Sequence, residues 1–208
     1  MKHFFISLLI ITLTGITGCG FSREPVPPVT YYTLDYTSPE FNDSWQKLPL
    51  IIRLSRFNVA PDNQSYQMLY REGDFTRNEY NYHRWRADPG SMVTYFLARD
   101  MNRAGLFEAA LSYDSCLKAT HGMEGMVESF YEKDERNGWQ AVLAVSIILI
   151  KMDEPDIAKR VLFQREYKTA SPATAKKPGA VAAAMSKAMA GISDKIINDV
   201  YKALSEQE

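Results

Sequence analysis

Few side chains in this sequence are placed to do chemistry. His3, His83 and His121 are scattered, with no recognisable metal-ligand spacing to one another or to other ligands. Cys116, in Ser112-Tyr113-Asp114-Ser115-Cys116-Leu117, reads as a half-buried structural thiol rather than a nucleophile. No glycine-rich phosphate loop and no Gly-x-Ser-x-Gly elbow is present. The acidic Asp153-Glu154-Pro155-Asp156 reads as a turn, because it lacks the spaced oxygen ligands and terminal Glu of a calcium loop. No nucleophile or acid–base set assembles from these parts. The expectation is a protein that is not an enzyme and uses no cofactor and no metal. Arg71 and Trp85 are the remaining pair of interest, both at ends of predicted strands near a predicted helix start. One reading gives them a ligand: the Arg holds a phospholipid phosphate through two donors and the Trp covers an acyl chain. The other is structural: the Arg stacks on the Trp and seals a sheet–helix junction.

Cys19 is different, because what precedes it tells what its thiol is for. Lys2 and His3 make a short basic start, and Phe4 to Thr14 is a run of apolar and small residues. That run is shorter than the roughly 20 residues that span a bilayer. Together with Ile16-Thr17-Gly18 it has the parts of a secretory leader. Ile16-Thr17-Gly18-Cys19 resembles a bacterial lipobox, in which the cysteine receives a diacylglyceryl group through a thioether. The resemblance implies cleavage after Gly18, acylation of the new amino terminus, and palmitate-type chains as an anchor. One acyl chain holds a protein only marginally, whereas two or three hold it stably. Position 20 is Gly rather than Asp, which by enterobacterial sorting rules favours the outer membrane. With Cys19 consumed, Cys116 has no partner and no intrachain disulfide is expected.

The elements that must position these residues follow from the pattern. Residues 19–29 form a lipidated, proline-rich tether, and residues 30–208 the folded domain after the 1–18 leader. At about 3.1 Å per residue the tether reaches roughly 30 Å. Strands are predicted at Tyr31–Tyr36, Leu50–Phe57, Tyr66–Arg71 and Tyr80–Trp85, with Pro61-Asp62-Asn63 as a turn. A helix starts at an Asp88 cap with Pro89 in its first turn and ends at Gly105. Met92, Val93, Phe96, Leu97 and Met101 give it one apolar face. Strands at Met126–Glu132 and Trp139–Met152 follow, the second apolar enough to be covered on both faces for much of its length. A hairpin leads to Arg160–Thr169, and Ser171 to Gly179 reads as a linker. A long helix over 179–204 carries the stripe Val181, Met185, Met189, Ile192, Ile196, Val200 and Leu204. The fold class is α+β: a single domain, with a mostly antiparallel sheet and two packed helices, one central and one long and C-terminal.

Composition agrees with a globular domain and narrows the partners. The 208 residues are 46% hydrophobic and 24% charged, an ordinary mixture that excludes a disordered chain and a polytopic membrane protein. Lys+Arg 24 against Asp+Glu 25 leaves no basic excess, so nucleic acid is not a partner.

The order of motifs resembles the ABC-type transport auxiliary lipoproteins related to paraquat-inducible protein C. Tyr31-Tyr32-Thr33-Leu34 follows the proline-rich tether, and Phe57-Asn58-Val59-Ala60-Pro61 ends the second strand. Met68-Leu69-Tyr70-Arg71 precedes Tyr80-Asn81-Tyr82-His83-Arg84-Trp85 and Pro89. Gly125 to Phe130 precedes Trp139-Gln140-Ala141-Val142-Leu143. Arg86 and Asp88 depart from the family pattern. The resemblance implies a non-catalytic accessory subunit of an MCE-type, ABC-driven lipid transport system. It implies an MCE-domain protein and its permease as partners, phospholipid as cargo or ligand, and a place on the periplasmic face of the outer membrane of a Gram-negative bacterium. A homo-oligomer is compatible with it. The alternative is a free-standing periplasmic binder of a small amphiphile or a general envelope-assembly lipoprotein.

The thiol of Cys19 gives the first test. Wild-type protein is expected to start at a lipidated Cys19 and to fractionate with membranes, and Cys19→Ala to persist as the longer precursor. An unmodified Cys19 in the mass spectrum of the wild type would remove the anchor.

Overall fold

A computed structural model describes residues 25–41, 44–135 and 138–206. The leader, Cys19 and Gly20 lie outside the described residues, as does the tether up to residue 24. Residues 25–29 are exposed and have no regular structure.

Nine strands form one sheet. They are β1 (Thr30–Tyr32), β2 (Leu48–Leu54), β3 (Asn58–Val59), β4 (Gln67–Glu72), β5 (Asn78–Trp85), β6 (Phe107–Leu111), β7 (His121–Glu135), β8 (Gly138–Lys151) and β9 (Val161–Ala173). Helix α1 (Pro89–Ala104) lies between β5 and β6, the single turn α2 (Ile157–Arg160) between β8 and β9, and α3 (Pro178–Ser205) ends the fold. The sheet is mixed. Its long ladders, β7–β8, β8–β9 and β4–β5, are antiparallel. The short pairings β1–β5, β2–β6, β2–β7, β3–β7 and β4–β7 are parallel. The α+β single domain with two substantial helices is the architecture observed.

β7 is the spine. One edge pairs with β8 along its whole length, from His121↔Lys151 to Glu135↔Gly138. The other edge is shared in turn by β2 at residues 121–123, β3 at 126–127 and β4 at 132–134. Between β3 and β4 no strand is available. The side chain of Asn63 fills the gap: its Nδ2 donates to the Glu128 carbonyl (3.0 Å) and its Oδ1 accepts from the Phe130 N–H (3.0 Å). The sequence pattern shows Pro61-Asp62-Asn63 as a turn, and it is one, a single 3-10 turn, but Asn63 is 3% exposed and acts as a strand partner.

The helices match their punctuation. Asp88 caps α1 by accepting from the Ser91 N–H (3.0 Å), Pro89 sits in the first turn, and Gly105 closes the helix at φ 67°. Gly90 is required where α1 touches the sheet, since a Cβ there would stand 2.3 Å from the Phe57 carbonyl oxygen. All seven residues of the α3 stripe are buried, against β8 and β9. Leu143, Val145, Ile147 and Leu149 of β8 lie fully buried in the same core. The opposite face of β8 is covered at Val142 and Ala144 but only half-buried at Ser146, Ile148 and Ile150.

Three strand boundaries differ from the sequence reading by four residues or more, and one strand is new. β1 stops at Tyr32, because the following residues leave the sheet: the Asp35 N–H donates to Ser186 Oγ and the Tyr36 hydroxyl to Asp100. β6 was not apparent from the pattern; Asn102 of α1 completes it by pairing with both the N–H and the carbonyl of Ala110. β7 begins at His121, upstream of Met126, because β2 needs a partner there. β9 runs through Ser171-Pro172-Ala173, read above as linker, because Trp139, Gln140 and Ala141 of β8 still need partners. Pro172 is tolerated there because β9 is an edge.

Removing the Asn63 amide leaves a buried N–H and a buried carbonyl unpaired. Each such group costs about 1–3 kcal/mol. Asn63→Ala is therefore expected to lower the urea midpoint clearly, and Asn63→Asp, which loses the donor, to destabilise as well. A midpoint unchanged in both variants would show that β7 does not depend on this bridge.

Candidate functional site

The two residues singled out by type do not meet. Arg71 sits at the end of β4 opposite Lys133, whereas Trp85 ends β5 beside Tyr66, at the other end of β4. About five residues of strand, roughly 16 Å, separate those levels. The stack of Arg71 on Trp85 is thus not formed. Trp85 is 2% exposed and packs edge-on against Phe130 (centroids 5.0 Å, 75°). It is a core residue, with no face open to an acyl chain.

Arg71 is committed to its own turn. Its Nε donates to the Gly73 carbonyl (2.6 Å) and its Nη2 to the carbonyl and carboxylate of Asp74 (2.6 and 3.0 Å). Gly73 takes φ 84°, a left-handed conformation that favours glycine, and so lets the turn present its carbonyl to the guanidinium. Arg71 and Arg77 both lie over the ring of Tyr131, at 6.0 and 5.4 Å from its centroid. Beside them opens a cleft of about 350 Å³ lined also by Lys133, Gln140 and Lys168. A phosphate taken bidentately by Arg71 would have to displace Asp74.

The strands bring a second group together on the inward face of β7. Phe130, Glu132 and Asp134 alternate there. Glu132 is fully buried, and the Tyr80 hydroxyl donates to its Oε2 (2.8 Å). Its Oε1 and Asp134 Oδ1 have no hydrogen-bond partner among the described residues. Lys176, just before α3, pairs with Asp134 and stands 3.6 Å from Glu72. Burial pushes the Glu132 carboxyl above its ordinary range; the Tyr80 hydroxyl pulls it back, Asp134 pushes it further up and Lys176 opposes that. Tyr80, Glu132, Asp134 and Lys176 include no nucleophile beside a base. The strand alternation places Glu132 on the Phe130 face, and that was the one sign of it in the sequence.

The other candidates are dispersed. His83 bonds the Tyr32 hydroxyl through Nδ1 (3.1 Å), and His121 bonds Thr120 (2.9 Å) at the opposite end of the spine. Burial, aided by Lys151, holds the His121 imidazole below its ordinary range. Cys116 is exposed rather than half-buried, in the loop before β7. Two of the three carboxylates of the 153–156 turn serve its own backbone: Asp156 caps α2 and Glu154 accepts from the Asp156 N–H. Among the described residues no group of three or more metal-ligating side chains is arranged to hold an ion.

The family model described as the ABC-type transport auxiliary lipoprotein component matches residues 32–197. No curated protein matches the chain in sequence. Among solved structures, protein XCC0632 from Xanthomonas campestris, of family-model DUF330, superposes with a TM-score of 0.77 at 16% identity, over 86% of this chain and 98% of that one. The hypothetical protein CT253 from Chlamydia trachomatis superposes with a TM-score of 0.52 at 6% identity, over 74% and 96%. At these identities the likeness is one of fold.

Glu132 gives a pH test. The folded chain keeps its proton where the unfolded chain has lost it, so the folded state binds more protons and this group's contribution falls as pH rises above the ordinary carboxyl range. Glu132→Gln removes the titration. The stability of the wild type relative to Glu132→Gln is expected to decline from acid to neutral pH in denaturant melts; a constant difference would contradict the assignment.

Proposed function

The chain belongs to the family of ABC-type transport auxiliary lipoprotein components, and from that premise we propose that it is the accessory lipoprotein of an MCE-type lipid transport system. In this reading a lipidated Cys19 holds it on the periplasmic face of the outer membrane, and the folded domain docks the MCE component there. Membership of a family of transport auxiliary lipoproteins supports a location in the cell envelope and an association with a transport system. The match over residues 32–197 is the observation that carries the reading, since it covers nearly the whole described domain. The dispersal of His83, His121 and Cys116 supports a role by contact rather than by catalysis. A free-standing binder of an amphiphile would want an enclosed apolar cavity. The described clefts, about 260 to 440 Å³, are instead open at the surface and mixed in lining.

The lipidated protein, used as bait in solubilised envelopes, is expected to recover an MCE or permease component. Cys116→Ala, His83→Ala and His121→Ala are each expected to recover it as well as the wild type. Recovery of neither component, with a deletion phenotype unlike that of the transporter, would favour the free-standing binder.

A further inference from the structure

Two buried carboxyl oxygens near the end of β7 lack a donor. Glu132 is fully buried and its Oε1 is unpartnered among the described residues; so is Asp134 Oδ1, on a side chain 13% exposed. The other two oxygens are occupied: Glu132 Oε2 accepts from the Tyr80 hydroxyl, and Asp134 Oδ2 pairs with Lys176. The two side chains stand two residues apart on one face of one strand and lie within hydrogen-bonding contact of each other. Ionised carboxylates are acceptors only, so this contact is a hydrogen bond only when one of the pair carries a proton.

The surroundings set the charge balance. β5 contributes Tyr80, whose hydroxyl is driven above its ordinary range by burial and by Glu132 and so stays a donor, with His83 edge-on to its ring (5.7 Å, 83°). β4 contributes Tyr70, packed on Tyr80 (4.9 Å), and Glu72. β8 places Ala141 and Trp139 opposite, β9 places Ser171 and Ala173 beyond them, and the start of α3 buries Val181, Ala182 and Ala184; none is charged. Lys133 belongs to the other face and pairs with Glu135. Lys176 thus stands beside three carboxylates, Glu72, Glu132 and Asp134. With all three ionised, three negative charges meet one positive. With one proton the remaining excess falls on Glu72, which is 56% exposed. Glu132 is the deepest of the three, and burial penalises its charge.

Other bridges fit less well. A metal ion lacks a ligand set among the described residues, and Lys176 already holds Asp134. A bridging water leaves two neighbouring carboxylates charged in a buried site, where like charges drive one to protonate.

We propose that Glu132 Oε1 donates a shared proton to Asp134 Oδ1, and that this proton keeps the end of the sheet closed beneath the segment leading into α3. Lys176 is 44% exposed and marks the solvent side, so the site opens there when the proton leaves to bulk water. The closed form holds a proton that the hydrated, open form releases in the ordinary carboxyl range. Rising pH therefore favours opening, by at most about tenfold per pH unit. The inference does not depend on the docking role.

It is tested in the full-length protein purified in detergent. Glu132→Gln keeps a donor toward Asp134 and an acceptor toward Tyr80 but cannot titrate. In infrared spectra a protonated-carboxyl band is expected to persist in the wild type above the pH at which exposed carboxyls ionise. It is expected to be missing from Glu132→Gln and to vanish at lower pH in Asp134→Asn, which removes the neighbouring charge. No such band, or one unmoved in Asp134→Asn, overturns the shared proton. In hydrogen exchange, peptides spanning 132–135 and 174–182 are expected to lose protection as pH rises, relative to Glu132→Gln at the same pH, while 143–149 does not change. A loss spread evenly over the chain, or none, overturns the local closure. If Glu132→Gln fails to fold, the wild type read against Asp134→Asn decides both points.

Discussion

The free edge of β7 is the constraint on which the rest of the domain depends. A 15-residue strand has a row of donors and acceptors on each side, and each buried one must be paired. β8 satisfies one side in a single ladder. The other side is satisfied piecemeal by three short parallel strands from the first half of the chain. Linking backbone bonds continue the ladder, Ser55 N–H to Met123 and Ala60 N–H to Val127, and Asn63 closes the last gap. The piecemeal edge makes the sheet curl, because β2 continues to β6 while β4 continues to β5 and β1. It also fixes α1, whose N-terminus rests on the segment between β2 and β3: the Phe57 N–H donates to Thr94, which itself donates to the Gly90 carbonyl.

Two buried carboxylates show how differently the fold treats charge. Asp100, fully buried, accepts from the Arg99 guanidinium, the Tyr36 hydroxyl (2.7 Å) and the Ser38 hydroxyl (2.7 Å). That network ties the segment after β1 to α1, and Arg99 further covers the rings of Tyr36 and Phe96. Burial and the Asp100 bond together drive the Tyr36 hydroxyl far above its ordinary range, so it remains a donor. Glu132 has one donor and a second acidic neighbour instead. A satisfied buried network rigidifies, whereas a buried carboxyl short of donors favours its protonated form. The second kind lies toward the end of β7, on the side where β1 begins.

Local signals carried much of this into the sequence, and long-range pairing carried the rest. The cap at Asp88, the stop at Gly105 and the four-residue recurrence of α3 are contained within one helix each, so they are legible there. The apolar run of β8 likewise announces a strand covered over much of its length. Asn63 and Asn102 act as strand partners only because distant backbone has an open site beside them, and no pattern around either residue reveals that. The same holds for Ser171 to Ala173, whose composition reads as linker and whose conformation is dictated by β8. Arg71 and Trp85 are close in pattern but set at opposite ends of β4, since the β4–β5 antiparallel register folds one away from the other.

Why exposed apolar side chains such as Met126, Met152 and Val161 gather toward the start of β7 follows from how the outward face of the sheet is covered. Toward the end of β7, Leu69, Tyr131 and Val142 form a small second cluster, and Arg71 and Arg77 lie over Tyr131. Leu69, Arg71 and Arg77 come from β4 and its turn, and β4 pairs with β7 only at residues 132–134. At the other end β2 pairs with β7 instead, and the outward face of Ile148 and Ile150 receives no comparable cover. The inward face beneath them, at Ile147 and Leu149, is closed in the core that α3 shares with β8, so these side chains are backed by a packed layer. A rigid apolar surface of this kind is a liability unless something covers it.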